Sequence, residues 1–217
     1  MTNKKVVKIR IRLTEEMLGS QPSDEEIFRK FIASKAPDAT GIEDEVEKLG
    51  VDEVVEKGKT IFPKDETGNP LLLSHQVKGF CKAAWKALWK IKGTKSSGLK
   101  AGVSKIDRGL FVKAEDGSKF IPFQCEKDTD LQRPLRAETA QGPRVSLACS
   151  ERIKAGAEAT FYIEIIDDTL EAPLREWMAY GQYSGLGQWR NSGRGTFEVL
   201  SYETEEKPMF PELEEAS

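Results

Sequence analysis

One histidine, three cysteines and no long apolar run stand in a chain of 217 residues. The single imidazole, His75, removes every mechanism or metal site that needs two of them, and no metal or cofactor is expected. The cysteines, Cys81, Cys125 and Cys149, are far apart and odd in number. The absence of a CxxC pair argues against a zinc ribbon and a disulfide scaffold. Free thiols suit a reducing compartment, so the expected location is the cytoplasm. No window approaches ~18 apolar residues, so no membrane-spanning helix is expected. The first residues carry charge but no apolar stretch of signal-peptide length. A basic excess is missing too: 33 Lys and Arg against 36 Asp and Glu leave a net charge of −3, which excludes a chain of the histone type.

That near balance hides segregation. Between Asp38 and Lys57 eight acids face two lysines, and from Glu198 onward seven glutamates face one lysine. Between Lys78 and Lys105 there are eight lysines and no acid. A basic block inside an acidic chain is a candidate footprint for an anion or a nucleic acid. The plain alternative is a solvated helix face neutralised by the acidic stretch.

Residues 5–13 alternate, with Val7, Ile9, Ile11 and Leu13 on one side and Lys8, Arg10 and Arg12 on the other. This predicts a strand with one buried and one basic, wet face. Ser23 with Glu26 makes a capping box for a helix carrying Ile27, Phe28, Phe31 and Ile32. An acidic, weakly periodic insertion follows to residue 58. Residues 60–63 read as a short strand and 65–70 as a turn. The strongest helix runs from Ser74, the expected cap, to Ile91, with Lys78, Lys82, Lys86 and Lys90 in one stripe. A Gly/Ser/Lys loop covers 93–102. Residues 106–113 and 118–125 read as a hairpin turned by Glu115-Asp116-Gly117. Strand signals over 133–149 break at Gln141-Gly142-Pro143. A strand at 157–166, a helix from Leu170 to Tyr180, a glycine-rich loop and a strand at 194–202 complete the order.

The expected fold is α+β: a ferredoxin-like (RRM-like) antiparallel sheet with two helices on one face, plus an acidic helical insertion. One domain is expected over 1–202, with the insertion at about 20–58 and a flexible acidic tail over 203–217.

Residues 185–197 read Gly-Leu-Gly-Gln-Trp-Arg-Asn-Ser-Gly-Arg-Gly-Thr-Phe. Glycines allow positive φ and close approach of another chain, and their N–H groups can cradle a phosphate. Arg190 and Arg194 suit bidentate phosphate contacts, and Trp189 offers a face on which a base can stack. The plain alternative is a tight helix-to-strand connection in which Trp189 packs. Arg133, Arg136 and Arg144 form a second cluster around Gln141, able to line the same pocket if 133–149 returns beside the loop. Otherwise these arginines pair with Glu138, Glu151 and the acidic insertion.

A glycine-rich loop between the last helix and last strand of a ferredoxin-like order resembles the RAMP superfamily of CRISPR proteins, of Cas6 and Cas7 type. The stretch Pro70-Leu71-Leu72-Leu73-Ser74-His75-Gln76-Val77-Lys78-Gly79-Phe80 is similar to the start of the first helix in Cas7-like proteins. The resemblance covers 5–13, 70–92 and 157–202 and leaves out the insertion. The chain is also similar to small proteins of phages and prophages of Gram-positive bacteria, which implies a viral origin and action in a host cytoplasm. The RAMP resemblance implies binding of RNA backbone by Gly185, Gly187, Gly193 and Gly195 with Arg190 and Arg194, and by Lys78. The overall acidity departs from the basic character of dedicated RNA binders.

Three functions follow as expectations. The first is a non-enzymatic binder of single-stranded RNA or a nucleotide, acting as decoy or inhibitor of a host defence complex. Its acidic insertion would then reach a protein partner by mimicking nucleic acid. The second is a Cas6-like, metal-independent endoribonuclease in which His75 moves the proton and Lys78 stabilises charge. The third is an assembly or mimic subunit without nucleic acid. No membrane partner is expected.

Overall fold

Residues 3–23, 59–125, 129–139 and 142–210 are described by a computed structural model, those between 129 and 148 through their backbone pairing. The expected capped helix after Ser23, the acidic stretch 38–58, Gln141 and residues from 211 onward lie outside the described residues.

The alternation of the first strand places it at the sheet's centre. β1 (Asn3–Leu13) buries Val7, Ile9, Ile11 and Leu13 and sends Lys8, Arg10 and Arg12 outward. It lies between β10 (Glu158–Ile165) and β11 (Phe197–Pro208), antiparallel to both. β6 (Leu110–Lys113) and β7 (Phe120–Gln124) pair with the far side of β10, and β5 (Leu71–Leu73) pairs with β7. With β6 and β7 read as one interrupted strand, the spatial order last, first, third, second is that of the ferredoxin-like fold. Helices cover the inner face. α1 (Ser74–Leu88) buries Val77, Phe80, Cys81, Ala84 and Leu88, and α3 (Glu171–Ala179) buries Pro173, Leu174, Trp177 and Met178. Phe80 meets Phe197 edge to face at 5.2 Å, joining α1 to β11.

A second sheet hangs from this frame. β8 (Thr129–Thr139) and β9 (Gly142–Ile153) pair antiparallel along their length, from Thr129 opposite Arg152 to Thr139 opposite Gly142. The base of this hairpin is fastened by β2 (Met17–Leu18) and β4 (Thr60–Ile61), and β3 (Gln21–Pro22) pairs with β4. The Thr60 pairing with Ser150 is parallel; the other pairs are antiparallel. Glu151, buried to 9% exposure, accepts from the Phe62 N–H (3.0 Å) and the Lys64 ammonium (2.9 Å), tying β9 to the segment after β4.

Four boundaries differ from expectation. Residues 102–109 form a third helix, α2 (Gly102–Gly109), where a loop running into a strand was expected. Gly102 lies flat on the Trp85 ring and Gly109 against Asp167 and Leu170, approaches any Cβ would block. The segments around Glu115-Asp116-Gly117 are not a hairpin. Lys113 lies opposite Tyr162 and Phe123 opposite Ala159, so β6 and β7 run the same way along β10. The turn closes on itself, Gly117 N–H donating to Ala114 O and Ala114 N–H to Ser118 O. Ser74 is not the cap of α1. Leu73 holds that place, its N–H donating to Gln76 Oε1 at 2.9 Å. Finally, β11 continues to Pro208, with Glu203 opposite Lys8 and Glu206 opposite Lys5. Backbone pairing with β1 carries the strand through residues whose acidity alone suggested fraying.

Candidate nucleic-acid interface

The glycine-rich loop joins α3 to β11 by crossing its own backbone. Gly185 touches the Arg194–Gly195 backbone, Gly195 sits against the Leu186 carbonyl at φ +67, and Leu186 N–H donates to Gly195 O at 2.9 Å. A side chain at either glycine would occupy space held by backbone. The loop is also laid onto β2. An added Cβ at Gly187 (φ +77) would come 2.9 Å from Leu18 O, and Gly195 N–H donates to Glu16 O at 2.9 Å. Gly193 (φ +79) faces open space. Gly185, Gly187 and Gly195 therefore serve close packing first, and Gly193 serves the turn.

Above this crossing stands the tip. Trp189, half-buried, adopts φ +58, a left-handed conformation that costs a side-chain-bearing residue about 1–2 kcal/mol. Arg190 to Ser192 form one short turn, closed by Ser192 N–H to Trp189 O (2.9 Å) and Gly193 N–H to Arg190 O (3.1 Å). Arg190 is exposed and makes no ion pair among the described residues. Arg194 is different. Its guanidinium is bound to Glu16, whose other oxygen takes Arg152 of β9 at 3.0 Å. Glu16 thus clamps the loop to the base of the hairpin. No spacing in the sequence singled it out, because its partners lie 136 and 178 residues away.

The neighbouring wall is the start of α1. Gln76 Nε2 donates to Ser20 Oγ at 2.9 Å, just beyond β2. His75 is exposed on that first turn. Lys78 faces the other flank, donating to Asp107 O at 2.9 Å with its ammonium 5.1 Å over the Phe111 ring. Burial draws its pKa below the ordinary lysine value. Lys78 and the loop are therefore not brought together.

The hairpin arginines divide similarly. By register Arg133 stands opposite Ala148, Arg136 opposite Val145 and Arg144 opposite Ala137. Arg152, at the hairpin base, is linked to the loop through Glu16. Arg144 is about 26 Å of strand further out, at ~3.3 Å per residue. The side chains of Arg133, Arg136 and Arg144 lie outside the described residues.

On the open face of the sheet Lys4, Arg10 and Arg12 of β1 are already matched by carboxylates. Arg10 and Arg12 both grip Glu158, with Nε–oxygen distances of 2.9 Å, and hold its carboxyl below the usual range. Lys4 pairs with Glu164 at 3.0 Å. The shallow cleft there, about 280 Å³, is lined by Lys8, Arg10, Thr160, Ser201 and Glu203. A polyanion would have to displace carboxylates from this face, so it is the weaker candidate.

Among the described residues no cluster of His, Cys, Asp and Glu is placed to hold a metal, and no helix is long and apolar enough to cross a membrane.

No family model matches the chain, and no curated protein sequence matches it. Among solved structures the chain is similar to a chain of a Type III-B Cmr-beta complex determined by cryo-EM with cognate target RNA bound. That likeness has a TM-score of 0.48 at 12% identity and covers 93% of this chain and 60% of the other.

Proposed function

We propose that this protein is a non-enzymatic binder of single-stranded RNA with a RAMP-like, Cas7-type arrangement, its phosphate contact lying at the glycine-rich loop. The observation that carries this reading is the loop tip. Backbone crossing and the Glu16 clamp hold its base, and the tip presents Arg190 without an acid partner among the described residues. A fixed loop with a free guanidinium suits a phosphate, since little order is lost on binding. The left-handed Trp189 supports the same place, because such backbone cost is typically kept where it serves a ligand. His75, at the neighbouring helix start, is exposed, and its role is decided by the variant below.

Fluorescence anisotropy with labelled single-stranded RNA tests the reading. Wild type is expected to bind at low salt and to weaken as salt rises. Arg190→Ala removes one charged hydrogen-bond partner of about 2 kcal/mol, roughly thirtyfold in affinity. His75→Ala is expected to change nothing, and the RNA to stay intact. Absence of binding at low salt, or full affinity in Arg190→Ala, refutes the proposal. A cleaved RNA that survives only in His75→Ala assigns the chain to the nuclease class instead.

A further inference from the structure

We propose that the C-terminal end of α1 is a second contact for single-stranded RNA, with Trp89 as the surface on which a base stacks and the surrounding lysines as phosphate partners. The proposal rests on reading the chain as an RNA binder and adds a site remote from the glycine-rich loop.

Trp85 and Trp89 stand one turn apart and stack, ring centroids 5.9 Å apart at 18°. Only Trp85 is used by the fold: its indole N–H donates to Leu99 O at 3.2 Å and its ring receives Gly102. Trp89 keeps 44% of its surface in water, and Ile91 beside it 52%. An exposed indole beside an exposed Ile on an ordered helix end offers a partner an apolar surface.

Charge says which partner. Of the eight lysines between Lys78 and Lys105, three are spent on the fold. Lys78 and Lys82 are held by Asp107, and Lys105 by Thr169 and Asp167. The other five, Lys86, Lys90, Lys92, Lys95 and Lys100, are exposed, and their ammonium groups make no ion pair among the described residues. Cations are favoured at a helix C-terminus, which accounts for Lys86 and Lys90. It does not account for three lysines beyond the helix, nor for the bare indole. Lys90 Nζ lies 5.3 Å over the Trp89 ring. A base can take that place while the ammonium moves to its phosphate, the pairing of stacking and charge that single-strand binders use without sequence preference.

The platform is set in advance. Thr94 Oγ1 lies 3.0 Å from Leu88 O and 2.8 Å from Ile91 O, and accepts from Ser97 N–H at 3.1 Å. Glu176 accepts the N–H groups of Lys95 (2.8 Å) and Ser96 (3.0 Å). α1 has 15 residues, so its two ends are about 22 Å apart. One RNA strand reaching from the loop side to Trp89 must cover on the order of that length.

The test uses the full chain, a labelled oligouridylate of about 15 nucleotides, the upper range of such sites, and anisotropy over a salt series. Trp89→Ala is expected to weaken binding about tenfold with the salt dependence unchanged, and Trp89→Phe to restore most of it. Replacing Lys86, Lys90 and Lys92 by Gln is expected to lower the slope of log K against log salt by about 2, at ~0.7 per phosphate contact. All three positions are exposed, so unchanged circular dichroism should accompany the losses. Wild-type affinity in Trp89→Ala overturns the platform; if Arg190→Ala still weakens binding, the loop reading stands alone. Losses at Trp89 with none at Arg190 keep the platform and refute the loop. No RNA binding at all, with capture of polyglutamate that depends on Trp89, overturns both in favour of an acidic protein partner.

Discussion

Two glycines in the same loop should respond to the same substitution very differently. Gly193 (φ +79) and Gly195 (φ +67) both use left-handed backbone, which costs an alanine about 1–2 kcal/mol. Gly193 has nothing within 4 Å of an added Cβ, so Gly193→Ala should cost about that amount and no more. At Gly195 the Cβ would fall on the Leu186 carbonyl, and the chains must separate. Separation breaks Leu186 N–H to Gly195 O and Gly195 N–H to Glu16 O, both 2.9 Å, each contributing about 1 kcal/mol. Gly195→Ala should therefore cost about 3–4 kcal/mol, a large fraction of the 5–15 kcal/mol typical of a domain. Urea denaturation followed by far-ultraviolet circular dichroism measures both. Equal costs, or a milder Gly195→Ala, would refute the argument that this glycine exists for a backbone crossing.

Three further outcomes are expected. Ser96, fully buried, accepts the Trp177 indole N–H (2.9 Å) and donates to Glu176 (2.6 Å), so Ser96→Ala strands a buried donor and should cost about 2 kcal/mol in a thermal or urea melt; an unchanged melt contradicts this. Asp65 takes the Thr67 hydroxyl and the Asn69 N–H, which draw its pKa from 3.8 to about 2. A lowered folded value stabilises above the unfolded one, so this contribution is complete above about pH 4 and fades towards pH 2; the stability gap between wild type and Asp65→Asn should narrow over that interval, and a gap that widens there reverses the sign. Cys81 is fully buried and its thiol is pushed up to about 12, so a disulfide reagent at neutral pH should leave it unlabelled until the chain unfolds; mass spectrometry of the native adduct decides.

What could be read from the chain was what repeats at short range. Val7, Ile9, Ile11 and Leu13 mark β1 by period two, and Val77, Phe80, Cys81, Ala84 and Leu88 mark α1 by the helical period. Pro173 in the first turn of α3 is legible for an equally local reason, its fixed φ. What was hidden depends on distant partners. α2 is eight residues long and buries one apolar side chain, Ile106, and its ends are set by Gly102 against Trp85 and Gly109 against Leu170. Glu115-Asp116-Gly117 announces a turn but not whether the chain returns to β6 or goes on along β10. In the candidate interface the glycine spacing was legible, yet its role as a crossing was not. Arg194 was read as a phosphate ligand, and Glu16 holds it. Nothing local separates Trp89 from Trp85; the exposure of Trp89 does.

The measurement that bears most directly on the account is the affinity of wild type and Arg190→Ala for single-stranded RNA at low and high salt, with heat-stable fold confirmed for both. The account predicts binding at low salt that falls as salt rises, and an affinity about thirtyfold weaker when the guanidinium of Arg190 is removed. Equal affinity of the two proteins, or no binding by either at low salt, contradicts it.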